Sequence, residues 1–88
     1  MSEFIFSEKA WGDYLFFQQN DKQLLKKINE LLKDISRNGT RKGIGQVEQL
    51  KYKDKEIWSR RINSEHRLVY SEENGAVKIW SLKGHYTK

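Results

Sequence analysis

The sequence contains no cysteine, which excludes both disulfides and thiolate metal sites. Proline is absent as well, and neither an internal repeat nor a low-complexity linker divides the chain. No apolar run approaches a membrane span, and residues 1–9 lack the layout of a signal peptide, so no membrane association is expected and the cytoplasm is the default compartment. Two histidines without cysteines make a poor ligand list, so neither a metal nor another cofactor is expected. Gly43-Ile44-Gly45 lacks the Gly-Lys-Ser/Thr ending of a phosphate-binding P-loop.

What is present points to a single folded unit. The 88 residues suffice for one domain, 1–88, with one modest core. A mean hydropathy of -0.90 is low for a folded protein, but 12% aromatic residues offset it because each buries a large area. Lysine and arginine number 17 against 12 acidic residues, a net charge of +5 that favours polyanionic partners.

Phe4-Ile5-Phe6 suits a buried strand, and Ser7 after it is a helix N-cap candidate. Trp11, Tyr14, Leu15 and Gln18 fall on one face of a first helix, ending near Asn20. Asp21 is the N-cap candidate for a second helix. Its Leu24, Leu25, Ile28, Leu31, Leu32 and Ile35 follow a 3.6-residue period, and Asn38-Gly39 stops it. After a basic loop over 40–45, β-like runs follow at 57–62, 66–71 and 77–82, with a further short strand at 48–52. Asn74-Gly75 is a strong hairpin signal. The expected class is α+β in the order β-α-α-β-β-β-β, two N-terminal helices on one face of a mainly antiparallel, twisted sheet. The other face is left for a ligand.

Residues 58–70, WSRRINSEHRLVY, carry the chemistry most visibly, because Arg60, Arg61, Glu65, His66 and Arg67 crowd two strands and a turn. A three-residue loop, Asn63-Ser64-Glu65, sets Arg61 opposite Arg67 on one face; a two-residue loop would set them on opposite faces. Opposed like charges destabilise a sheet, so the pair makes sense when an anion, most simply phosphate, bridges it. The competing use is salt bridging with Glu65, Glu72 or Glu73. Arg60 and His66 alternate to the other face and read as structural groups. Glu48 in its basic surroundings is a candidate proton acceptor, Lys51 a candidate phosphate contact, and His85 a candidate proton donor near neutral pH.

Taken together, Trp11 with Asp13-Tyr14, the run Lys26-Lys27-Ile28-Asn29-Glu30-Leu31, the block Trp58-Ser59-Arg60-Arg61-Ile62 with Glu65-His66-Arg67-Leu68-Val69-Tyr70, and His85-Tyr86 resemble the YoeB/Txe family of bacterial toxins, within the RelE superfamily. The resemblance covers the chain from Phe4 to Tyr86. It implies a RelE-like, microbial-RNase-like fold and an endoribonuclease that cleaves mRNA in the A site of the 70S ribosome. The 2′-hydroxyl would be the nucleophile, with no metal. It puts the general base on Glu48, the general acid on His85 and transition-state stabilisation on Arg67, assisted by Arg61 and Lys51, with Tyr86 placing the substrate. It further implies a YefM-type antitoxin, a homodimer, and binding of operator DNA only through the antitoxin complex. Three features depart from the family: Gly84 stands where an aromatic residue is expected, Gln49 where a proline is, and Thr87-Lys88 extend past the usual ending. Of these, Gly84 suggests a loosened aim for His85. The residues alone also fit a basic RNA-, ribosome- or DNA-binding module without catalysis, which needs only the charge and the arginine face.

Overall fold

The computed structural model describes residues 3–52 and 55–85. Its elements run β1 (Glu3–Phe6), α1 (Glu8–Asn20), α2 (Lys22–Asn38), β2 (Glu48–Tyr52), β3 (Lys55–Arg61), β4 (Arg67–Glu73) and β5 (Ala76–Ser81), the order expected from the sequence. The sheet order is β1-β5-β4-β3-β2. Three of its four pairings are antiparallel, while β1 lies parallel to β5.

The helix boundaries have local causes. Ser7 Oγ accepts from the Ala10 N–H at 3.0 Å, capping α1, and donates to the Trp80 carbonyl at 2.9 Å, tying that cap to β5. Asp21 closes α1 with its N–H on the Phe17 carbonyl (2.8 Å) and opens α2 by accepting from the Leu24 N–H (3.1 Å), so one residue joins the two helices. Gly39 ends α2 at a φ of 91°, which glycine adopts without strain. Asn74 and Gly75, with φ of 54° and 83°, form the two-residue turn between β4 and β5.

The α2 stripe is as the period predicts: Ile28, Leu31 and Ile35 are buried, and Leu24, Leu25 and Leu32 pack partly buried against the same core. Each fully buried side chain contributes roughly 1.5–3 kcal/mol. The face of α1 differs from expectation. Trp11 is 51% exposed and Leu15 36%, while Ala10, Asp13 and Phe17 are buried and Tyr14 is partly so. Apolar residues lie all around α1, so their spacing does not select a side. The selection comes from β5 and the residues that follow it: small Ala10 allows close approach, and Asp13 finds hydrogen-bond donors in the Leu82 and Lys83 N–H groups.

On the helix-covered face, Arg60 is fully buried. Its Nε donates to the Tyr70 hydroxyl (3.0 Å), Nη1 to Asp34 and the Ile44 carbonyl (3.1 Å), and Nη2 to the carbonyls of Gly39 (2.9 Å) and Lys42 (2.8 Å). All the donor capacity of a guanidinium is used. The Tyr70 hydroxyl in turn donates a hydrogen bond to the Thr40 carbonyl at 2.6 Å. Asp34 is held below the ordinary carboxylate range, chiefly by the Arg60 hydrogen bond, against burial, with help from the Ile44 N–H and Asn38. The glycine-bearing loop is therefore wrapped around one arginine. It leads straight into β2, and the Gly45 carbonyl accepts from the Arg61 N–H at 2.6 Å.

Candidate active site

The other face of the sheet carries no helix. Its floor is Ile57 and Ser59 from β3 and Val69 and Ser71 from β4, all buried. At one end the register pairs Arg61 with Arg67, and the Ile62 N–H donates to the His66 carbonyl at 3.0 Å, leaving Asn63-Ser64-Glu65 as the loop. The three-residue loop and the shared face are thus both found. Asn63 stabilises the loop by accepting from the N–H groups of Glu65 (2.8 Å) and His66 (2.7 Å).

Among the described residues, no carboxylate forms an ion pair with Arg61 or Arg67. Arg61 is exposed, while Arg67 is partly buried and its Nη1 rests on the carbonyls of Asn63 (2.7 Å) and His66 (3.1 Å). Those contacts orient the guanidinium without neutralising it. Two like charges opposite one another, without a counter-charge, form a site suited to an anion.

Glu48 pairs with Ser59 and therefore projects from the same face as Arg61. It stands about 5 Å across one strand and about 7 Å along it from the arginine row. His85 follows Gly84, whose carbonyl accepts from the Arg67 N–H at 3.0 Å, so the histidine is exposed beside Arg67. The structure thus gathers Glu48, Arg61 and Arg67 at one end of the open face, with the chain carrying His85 alongside Arg67. Lys51 is not gathered with them: it pairs with Glu56, and strand alternation sends it to the side opposite Glu48, at the exposed edge. Tyr86 lies outside the described residues.

The backbone at Gly84 is bonded on both sides. Its φ is 103°, its N–H donates to His66 Nδ1 at 2.9 Å, and its carbonyl takes the Arg67 bond. His66 is buried, packs edge-on against Phe17 with ring centres 5.2 Å apart, and does not project towards the open face. Asp13, a residue that sequence spacing did not bring forward, binds the N–H groups of Leu82 and Lys83 at 3.0 Å each. Burial raises its pKa, but the hydrogen bonds from Lys9, Leu82 and Lys83 outweigh it and leave the carboxyl below its ordinary range. The available signal was a charged residue at helical spacing from both Ala10 and Phe17 on a largely apolar helix. Trp80 also reaches the open side, where its Nε1–H donates to Ser71 Oγ at 2.8 Å, with Lys78 Nζ 4.1 Å from the ring centre.

A separate cleft of about 540 Å³ lies at the opposite end of β3 and β4, lined by Arg41, Lys55, Glu56, Trp58, Glu72 and Glu73 among others. Its charges largely answer one another, as in the Arg41–Glu56 pair at 3.2 Å, so it lacks the uncompensated cations of the arginine end. No group of His, Cys, Asp or Glu among the described residues could hold a metal ion, and no helix is long and apolar enough to cross a membrane.

The small mixed sheet with two helices on one face recurs in solved structures. A solved archaeal RelE–RelB complex from Pyrococcus horikoshii matches it with a TM-score of 0.73 at 16% identity, covering 94% of this chain and 93% of that one, a likeness of fold alone. Residues 6–86 match the family of YoeB-like toxins of bacterial type II toxin–antitoxin systems, and the chain belongs to that family. It is 53% identical over 83 residues to toxin YoeB of Synechocystis sp., covering 94% of this chain and 95% of that protein. Against toxin YoeB of Escherichia coli K12 it is 46% identical over 82 residues, covering 93% and 96%. The solved YoeB dimer from Staphylococcus aureus superposes with a TM-score of 0.89 at 54% identity, covering 97% of this chain and 98% of that one. A YoeB–YefM complex from the same organism gives 0.87 at 52%, covering 98% and 99%.

Proposed function

We propose that this toxin is an mRNA endoribonuclease acting in the ribosomal A site, with Glu48, Arg67 and His85 as its catalytic groups. The observation that carries the reading is the cross-strand Arg61–Arg67 pair, without a carboxylate partner among the described residues and with His85 beside it. Glu48 takes the proton of a ribose 2′-hydroxyl, and the resulting oxygen attacks the adjacent phosphorus. Arg67, with Arg61, stabilises the charge that builds on the non-bridging oxygens. His85 gives its proton to the departing 5′-oxygen. The products are a 2′,3′-cyclic phosphate and a free 5′-hydroxyl, so atoms and charge balance without a metal. Lys51 and Tyr86 belong to the substrate contacts in this reading, Lys51 reaching round the sheet edge.

The toxin's inhibitory partner is a YefM-type antitoxin, and its own assembly is a homodimer, readings supported by the S. aureus complex and dimer. Operator DNA is bound only through the antitoxin complex. Primer extension on translated mRNA after induction tests the catalytic reading. The native protein should create new 5′ ends within reading frames, and Arg67→Ala and His85→Ala should each cut about 10²–10⁴-fold more slowly while remaining folded. Undiminished cutting by both variants would sink the assignment. Salt-sensitive RNA binding without any new 5′ ends would favour a non-catalytic basic module.

A further inference from the structure

Past Ser81 the last strand is over, and chain ends beyond a sheet ordinarily fray. Here the opposite holds. Asp13 Oδ2 accepts from the Leu82 and Lys83 N–H groups, both at 3.0 Å, and from Lys9 Nζ at 2.7 Å. Lys9 Nζ also donates to Ser81 Oγ and to the Lys83 carbonyl, both at 3.1 Å. His66 Nδ1 accepts from the Gly84 N–H at 2.9 Å, and the Gly84 carbonyl receives the Arg67 N–H at 3.0 Å. Side chains from α1 and from the β3–β4 loop thus supply the partners that a neighbouring strand would give.

We propose that Asp13 and His66 are positioning residues for His85, clamping the backbone of 82–84 so that the imidazole is held at a set place beside Arg67. The proposal rests on His85 being the general acid. His85 is exposed, so its location is set by the peptide that carries it. Both clamping groups are costly ones to bury. Asp13 is a carboxylate on the inner face of a helix, and His66 must keep Nδ1 free of a proton, its hydrogen on Nε2, to accept from Gly84. The Arg67–Gly84 main-chain bond joins the clamped segment to the phosphate-holding strand. Gly84 completes the device, because its φ of 103° brings both its N–H and its carbonyl to partners, and a Cβ at this position would meet nothing within 4 Å. A side chain there would be strained by backbone conformation rather than by crowding.

The test uses the whole toxin on mRNA-programmed ribosomes in single-turnover cleavage, with hydrogen exchange of the Leu82, Lys83 and Gly84 amides alongside. His66→Leu removes the acceptor and keeps an apolar packing group, whereas His66→Asn can present Oδ1 where Nδ1 stood. His66→Leu should lose amide protection at Gly84 and cleave about 10–100-fold more slowly with apparent substrate affinity within about twofold, a misplacement effect. His66→Asn should recover most of that loss. In a His85→Ala background, His66→Leu should cost little more, because a positioning residue acts through the group it positions. Should His66→Leu fail to fold, Asp13→Ala, which removes the acceptor, against Asp13→Asn, which keeps one, carries the same comparison at the Leu82 and Lys83 amides. Unchanged cleavage with the Gly84 amide exposed, or an equal loss with and without His85, would overturn the clamp. If His85→Ala alone leaves cleavage intact, the general-acid reading fails instead, and the amide protection data still report whether the backbone is clamped.

Discussion

Replacing Arg60 by methionine removes the most heavily bonded side chain of the protein while leaving the open face untouched. Five hydrogen bonds disappear, and the carbonyls of Gly39, Lys42 and Ile44 lose the Arg60 donors. At about 1–1.5 kcal/mol net for each bond the loss is roughly 5–7 kcal/mol. Water reaching the exposed loop reduces it, and Asp34 keeps the Ile44 N–H at 3.1 Å and Asn38 at 2.7 Å, so its carboxylate is not left bare. The balance is about 3–5 kcal/mol, the usual cost of breaking a buried ion pair from one side. A domain of this length has roughly 4–13 kcal/mol in total, so the variant sits near the edge of folding. With a urea slope near 1 kcal/mol/M, the midpoint followed by tryptophan fluorescence should fall by about 3 M or more, or the protein should be unfolded without urea. Arg61→Met is the control: one residue along and exposed, it should stay within about 0.5 kcal/mol of the native protein or gain slightly by relieving the Arg67 repulsion. A shift of less than about 1 M for Arg60→Met would refute the view that this arginine organises the loop.

Two glycines should respond in opposite directions to alanine. At Gly43, with φ of 134°, a Cβ would fall on the Asp34 carboxylate and 2.8 Å from Arg60 Nη1, so Gly43→Ala should cost at least about 2 kcal/mol in urea unfolding. At Gly12, inside α1 with nothing within 4 Å, the same change should stabilise by about 0.5–1 kcal/mol. Acid should weaken the fold through Asp13 and Asp34, both lowered from 3.8. Their depressed folded values mean a contribution fully present above that pH and lost as pH falls through the folded values, because the unfolded chain takes up the protons first. Asp34→Asn should therefore be less stable than the native protein near pH 6 yet lose less stability on going to about pH 3, measured by urea midpoints; parallel losses would contradict the assignment.

The elements whose causes are local were legible in the sequence. Ser7 and Asp21 cap helices through their own neighbours, Asn74-Gly75 sets a two-residue turn, and the α2 period finds the core. The Arg61–Arg67 register was legible too, because loop length and side-chain alternation leave only two choices. What escaped were decisions made across long separations. The buried face of α1 is chosen by contacts with β5, some seventy residues on, and Asp13 finds its donors in the amides of residues 82 and 83. Arg60 was readable as structural, but not its partners, which are loop carbonyls carrying no sequence signal. Lys51 shows the limit at the site itself: it lies close to Glu48 in the chain, yet an odd offset in a strand turns it to the other side.

The first and last strands are neighbours, and this sets when the protein can become whole. β1 has no sheet partner until β5 has been made, with Glu3 beside Ala76 and the Ser7 N–H on the Ile79 carbonyl at 2.9 Å. The N-terminal segments therefore wait, unclosed, until residues 76–79 are in place, and this long-range pairing makes for slower folding than local contacts would. The residues that close the sheet run directly into His85. Closure of the sheet and placement of the last described candidate catalytic group are therefore coupled: the site is not assembled until β5 and residues 82–85 have docked.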